Sequence, residues 1–246
     1  MGAWSQLVGH PFLEWLDTAP GDRWLDVGCG SGALTELIAD RCAPAELHGI
    51  DPSEAQLSFA RQRKKLRNTT LKLGSAMDLP FDDGRFDAAI MALVLFFIPD
   101  PIKGVSEMRR VTRAGGQVAA YVWDYVGDAA PTAPIEAALR AQGVEVARPP
   151  RYDVSHVETL RQLWSDAAFE DIEVKSFLVQ RIFSDFEDYW RSTTSLTNIG
   201  PVVSTMPAET VARLKERLRA QALTDATGRV TFAARANAIK GRAPIR

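Results

Sequence analysis

The chain predicts an α/β fold built on a doubly wound, mostly parallel sheet. Three observations carry this: strands and helices alternate at short spacing from Trp24 to Val122, the fourth strand is apolar almost throughout, and the first strand runs directly into a glycine-dense turn and a helix. Such alternation implies right-handed crossovers between neighbouring parallel strands. The turn is Trp24-Leu25-Asp26-Val27-Gly28-Cys29-Gly30-Ser31-Gly32, followed by the helical pattern Ala33–Ala39 with Ser31 as its expected N-cap. Glycine lets a ligand approach the main chain closely, so strand, loop and helix N-terminus form a cradle for a nucleotide-containing cofactor.

In chain order, apolar positions Trp4, Leu7, Val8, Phe12, Trp15 and Leu16 predict one or two short helices with a break at Pro11. After the glycine loop, Leu47–Ile50 is a short buried strand ending at Asp51. Ser53 then caps a helix, and Gln56 completes a capping box. Leu71–Leu73 is a third strand and Phe86–Ala92 a fourth. Asp100 and Pro101 open a helix with core stripe Ile102, Val105, Met108 and Val111, stopped by Gly115-Gly116. Gln117–Val122 is the fifth strand. Helices are expected near Pro134–Gln142 and over Ser155–Ala168, then a sixth strand (Ile172–Gln180), a helical insertion (roughly Asp185–Leu223) and a seventh strand (Val230–Ile239). The whole chain, 1–246, reads as one domain, with 20–125 as its cofactor-binding half and roughly 185–226 as an insertion over the acceptor site.

With 29 basic and 31 acidic residues, charge gives no bulk attraction to nucleic acid or anionic membrane. The basic run Arg61, Arg63, Lys64, Lys65, Arg67 reads as a solvated helix face. Cys29 and Cys42 make no metal or disulfide pattern, so no metal is expected. No apolar run approaches the ~18 residues of a membrane span, and a cytoplasmic location is expected.

The loop alone leaves the cofactor open. Gly28, Gly30 and Ala33 also satisfy the dinucleotide fingerprint, with Asp51 at the offset of a ribose-binding acid. Asp26 shifts the balance. A carboxylate there would repel a pyrophosphate on the helix N-terminus and would suit a cofactor with an ammonium, a sulfonium and no phosphate, namely S-adenosylmethionine.

Six motifs stand in order: Leu-Asp-Val-Gly-Cys-Gly-Ser-Gly (25–32), Gly-Ile-Asp-Pro-Ser (49–53), Ala-Met-Asp-Leu-Pro-Phe (76–81), Phe-Asp (86–87), Ile-Pro-Asp-Pro (98–101) and Arg-Ala-Gly-Gly (113–116). Through them the chain resembles the class I S-adenosylmethionine-dependent methyltransferases, in the ubiquinone-biosynthesis-like (methyltransferase type 11) branch. The resemblance covers about Trp24–Tyr125. It implies a Rossmann-like sheet of seven strands with the last antiparallel, S-adenosylmethionine as methyl donor and S-adenosylhomocysteine as product. It also implies that Asp26, Gly28, Gly30, Ser31 and Gly32 face the methionine moiety and that Asp51, followed by Pro52, accepts from the ribose hydroxyls. Ser75 and Ala76 would face the adenine, Met77 its plane, and Ala92 would offer backbone to the amino group. The family usually has Asp or Asn at the place of Ser75, so either a water fills the gap or Asp78 turns in.

Methyl transfer from a sulfonium chiefly needs nucleophile, carbon and sulfur held in line, so no triad is required and no catalytic residue is assigned. His48 reads as a core residue, His156 as surface, and His10 as a weak candidate near the cofactor mouth. Phe96 and Phe97 stand where many relatives carry histidines. With Trp123, Asp124, Tyr125, Tyr189 and Trp190 they favour an apolar or aromatic small-molecule acceptor. A non-catalytic module binding S-adenosylmethionine or its product is the alternative, and a nicotinamide oxidoreductase a weaker one. Nucleic-acid methylation is disfavoured by the balanced charge and by the lack of an Asn/Asp-Pro-Pro-Tyr motif.

Overall fold

The computed structural model describes residues 2–245. A first helix, α1 (Gly2–Leu16), precedes β1 (Arg23–Val27), α2 (Ala33–Arg41), β2 (Glu46–Asp51), α3 (Glu54–Arg61) and β3 (Thr70–Leu73). Then come β4 (Phe86–Ala92), α4 (Pro101–Val111), β5 (Thr112–Trp123), α5 (Ala133–Arg140), α6 (Val157–Asp166) and β6 (Glu170–Phe183). The last part holds α7 (Phe186–Thr194), α8 (Gly200–Ser204), α9 (Ala208–Gln221), β7 (Leu223–Thr224) and β8 (Val230–Arg242).

The strands form one sheet in the order β3-β2-β1-β4-β5-β8-β6, with the two-residue β7 also paired to β8. β1 to β5 pair in parallel, and β8 runs antiparallel to both β5 and β6. The sheet is therefore the expected one, with its last strand reversed. β7 was not anticipated. It closes a hairpin whose turn is tied by Asp225, which accepts from the main-chain N–H groups of Thr227 and Arg229.

The central strands are buried on both faces. Ala88, Ala89, Ile90 and Met91 of β4 lie beside Val118 to Trp123 of β5, all at most 1% exposed. Helices cover them, α4 against β4, β5 and α6, and α1 against α2 and β6. Among the described residues no helix is long and apolar enough to cross a membrane.

Four local expectations are corrected. Pro11 does not break α1, which stays continuous. The proline leaves the Leu7 carbonyl without a helical donor, and Leu7 sits on the exposed face where water can serve. Ser31 does not cap α2. The cap is Gly32 in the left-handed region (φ +79°), with no side-chain bond, while the Ser31 carbonyl accepts from Arg63 Nε at 2.6 Å. Gly115-Gly116 does not stop α4, which ends at Val111 as Thr112 turns extended and bonds the Met108 carbonyl. The glycines sit within β5, where the register to β4 jumps from Phe86–Thr112 to Ala88–Gln117. A Cβ on Gly116 would lie 2.8 Å from the Asp87 carbonyl, so the bulge needs glycine there. Finally, the capping box is only half formed: Ser53 Oγ accepts from Gln56 N, but Ser53 N donates to Asp51.

Candidate functional site

Parallel strands leave their ligands at the carboxyl edge, and β1, β2 and β4 end together there. Asp26 and Asp51 are brought to that edge by register: Asp26 pairs with Gly49 and Ile90, and Asp51 with Leu73. Between the strand ends lies a cleft of about 460 Å³. Asp26, Gly28, Gly30, Ser31, Asp51, Pro52 and Ala92 all line it. No Lys, Arg or His is among its described lining residues, and its two carboxyls are those of Asp26 and Asp51.

The loop is held by its own backbone. Gly28 and Cys29 both donate to the Ile50 carbonyl, at 2.7 and 3.0 Å. Gly30 N donates to Asp51 Oδ2 at 2.8 Å, and Ser53 N to Asp51 Oδ1 at 2.9 Å. Each Asp51 oxygen thus takes one amide and keeps lone pairs for further donors. Gly30 has φ +52°, and a Cβ there would meet only Gln56 Oε1 at 4.0 Å, so its open side faces the cleft.

Asp26 is 1% exposed. Its Oδ2 accepts from the Thr35 hydroxyl at 2.6 Å, and its Oδ1 has no partner. Burial pushes its carboxyl up to about 7, the Thr35 bond opposes this, and the charge of Asp51 adds to it. Burial also raises the Cys29 thiol, with Asp26 and Asp51 acting the same way, which keeps it from thiolate chemistry.

Gly32 does not line the cleft. It is packed beneath the loop, where a Cβ would lie 2.5 Å from Leu66. Ser75, Ala76, Met77 and Asp78 also lie outside the lining, in a tight turn just past β3. Asp78 N bonds the Ser75 carbonyl, and the Ser75 hydroxyl accepts from Met77 N at 3.1 Å. Residues not anticipated from sequence are Gly2 and Ser5 of α1, Gln56 of α3, and Leu93, Val94 and Phe97 after β4. Ser5 Oγ lies 2.9 Å from the buried Tyr121 hydroxyl, which fastens α1 across β5. Of these, only Gln56 and Phe97 carried any sequence signal.

His10 does not reach the cleft lining. His48 packs edge-on against Phe81 and Phe86, and burial lowers its pKa, as suits a core residue. The basic run is an ion-paired face: Arg63 bonds Glu36, Lys65 bonds Asp40 and Arg61 bonds Glu54.

A second cavity, of about 420 Å³, adjoins the cleft and shares Leu93 and Phe97 with it. Phe96, Trp123 and Tyr125 form its aromatic side, and Ala147–Pro150 and Leu196–Asn198 complete it. Asp124 instead pairs with Arg235, accepting from Nε at 2.7 Å, and Tyr189 and Trp190 are buried elsewhere.

A glycine-looped, acid-lined cleft at the carboxyl edge of such a sheet is the arrangement of an α/β protein that binds a nucleoside-containing cofactor. Residues 25–120 match the family described as a methyltransferase domain. Over that stretch the chain is similar to methyltransferase domains, and its fold is the one seen in solved structures titled as methyltransferases. A demethylmenaquinone methyltransferase of Symbiobacterium thermophilum is 42% identical over 123 residues, 47% of this chain and 48% of that one. One of Staphylococcus carnosus is 29% identical over 185 residues, 67% and 75% of the two chains. The crystal structure of the YcgJ protein from Bacillus subtilis superposes with a TM-score of 0.64 at 17% identity, covering 97% and 98%. The chain spans less than half the length of several curated relatives it matches.

Proposed function

We propose that the protein transfers a methyl group from S-adenosylmethionine to an apolar or aromatic small molecule by in-line displacement. One observation carries this reading. An acid-lined cleft and an apolar cavity meet at a shared wall of Leu93 and Phe97, as donor and acceptor sites must for a direct transfer.

The residues present fit the cofactor. The unpartnered Asp26 Oδ1 is a buried oxygen awaiting a donor, and an ammonium would supply it. The open side of Gly30 leaves room for a ligand against the main chain, and the spare lone pairs of Asp51 suit two ribose hydroxyls. The Asp26 carboxyl in its lining would oppose a pyrophosphate at this loop, which argues against a nicotinamide dinucleotide. In this reading Asp26, Gly28, Gly30 and Ser31 hold the methionine end, with Ala92 offering backbone. Asp51 and Pro52 hold the ribose, and the turn from Ser75 to Asp78 meets the adenine. Gly32 supports the loop from below.

S-adenosylmethionine, when bound, supplies an electrophilic methyl group on a sulfonium. The chain's part is to orient the acceptor and exclude water, and the paired rings of Phe96, Phe97 and Tyr125 give the cavity an aromatic side for this. No histidine lines either cavity among the described residues. Burial pushes the Tyr125 phenol up to about 12, so it stays protonated at neutral pH and serves as a donor rather than a base. The two demethylmenaquinone methyltransferases are named for a quinone-type acceptor, which agrees with this lining. We place the reaction in the cytoplasm, on a small-molecule acceptor and without membrane or nucleic acid.

A radiolabelled methyl-transfer screen over quinols, phenols and amines tests the reading. Transfer to an apolar member of the set is expected. Tight binding of S-adenosylhomocysteine with no transfer to any member would instead indicate a binding module.

A further inference from the structure

The second cavity is one-sided in its polar chemistry. Arg148 is the charged residue in the described lining, and no carboxylate lines it. Its Nη2 donates to Asp128 Oδ1 at 2.7 Å, and its guanidinium lies 5.2 Å from the Tyr152 ring centroid. Asp128 is exposed and lies outside the cavity lining. A guanidinium carries five N–H donors, so one bond to Asp128 leaves most of them available. The loop that carries Arg148 is fixed across the aromatic wall, with Arg151 N donating to the Phe96 carbonyl at 3.0 Å.

A half-buried cation facing apolar walls attracts an anion more strongly than it would in water and repels a second cation. Resting on the methyl-transfer reading for what enters this cavity, we propose that the acceptor is a planar apolar acid. Its ring system lies against the apolar lining of the cavity, and its carboxylate bonds Arg148. The atom to be methylated then lies toward Phe97, where the cavity meets the cofactor cleft. An amine would bring a positive charge to Arg148, so cationic acceptors are excluded.

The test uses three probes of one shape, 2-naphthoate, its methyl ester and 2-naphthylmethylamine, titrated calorimetrically into the full chain with and without S-adenosylhomocysteine. The acid is expected to bind at least about tenfold tighter than the ester, the range of one charge-assisted hydrogen bond, and the amine most weakly. Arg148→Gln should erase the advantage of the acid while leaving the ester and S-adenosylhomocysteine within about twofold. Asp128→Asn, which frees Arg148 from its partner, should preserve or increase that advantage. An acid that binds no tighter than the ester, or a preference that survives in Arg148→Gln, overturns the proposal. Failure of S-adenosylhomocysteine to bind overturns the methyl-transfer reading instead, and the cofactor-free titration still decides what the cavity selects.

Discussion

Thr35 donates its hydroxyl to Asp26 Oδ2 at 2.6 Å and leaves Asp26 Oδ1 buried with no partner. A carboxyl held at about 7 by burial is an acid whose folded pKa lies above its ordinary value. The cofactor-free fold therefore favours the protonated form, and this group costs stability progressively as pH rises from about 4 to about 7, then no further. Asp26→Asn removes that cost. The melting temperature of the variant should accordingly gain on the wild type between pH 5 and 7.5, with the two nearest at the acid end. A bound ammonium reverses the preference, so cofactor binding should release a proton near pH 6–7 and tighten across that range. Asp26→Asn should bind weakly with no such dependence. Calorimetry in buffers of different ionisation enthalpy reads the proton directly, and a wild-type affinity flat from pH 5.5 to 7.5 would remove Asp26 from the ammonium site.

Asp51 joins the two halves of the cleft, since its carboxylate takes the amides of Gly30 and Ser53 at once. Asp51→Ala should weaken S-adenosylmethionine binding by about 1.5–3 kcal/mol, the range for hydrogen bonds to a charged group. It should also cost about 1–3 kcal/mol of stability, because the two amides lose their acceptor. Isothermal titration and denaturant melts separate the effects. Unchanged affinity in a folded variant would exclude Asp51 as a ligand.

Two glycines of one loop should fail differently. A side chain on Gly30 meets nothing closer than 4.0 Å, so Gly30→Val should fold, at a cost of about 1–2 kcal/mol for its left-handed backbone, while filling the cleft and abolishing cofactor binding. A Cβ on Gly28 would lie 2.4 Å from Val94 Cγ2, so Gly28→Ala should mainly lower stability. Thermal melts with and without S-adenosylhomocysteine distinguish them, and ligand-induced stabilisation of Gly30→Val would contradict this assignment.

The cleft was legible because its determinants are local in the chain. The strand, the glycine spacing, Asp26 and the acid ending β2 lie within 30 residues, and each follows from periodicity or backbone freedom. The parts that stayed hidden depend on tertiary convergence. Gly2 and Ser5 reach the cleft only because α1 is fastened to Tyr121, more than a hundred residues away. Arg148-Pro149-Pro150 and Leu196–Asn198 have no period to announce them, yet they close the second cavity. Ser31 and Gly115-Gly116 mark the limit of punctuation rules: positive φ is shared by cap, bulge and loop, and tertiary packing decides among them.

The helical insertion poses the last test. From sequence, Tyr189 and Trp190 read as acceptor-side aromatics in an insertion over that site. In the structure Tyr189 stacks on Phe232 of β8, with centroids 3.7 Å apart and planes at 12°, and meets Phe183 edge-on. Trp190 is buried beside it, with Lys215 of α9 over its ring at 5.0 Å. Tyr189 therefore fastens α7 to the sheet and Trp190 lies against α9, and the part of the insertion that reaches the second cavity is Leu196–Asn198. Trp190→Ala should cost about 3–5 kcal/mol of stability, the usual penalty for emptying a large aromatic site. Asn198→Ala, on a loop residue lining the cavity, should leave the melting temperature nearly unchanged and alter acceptor affinity or turnover. The two variants, compared by denaturant melts and by transfer assays on whichever acceptor the screen identifies, separate an anchor from a contact. A Trp190→Ala protein that melts like the wild type but has lost acceptor affinity would return Trp190 to the acceptor site.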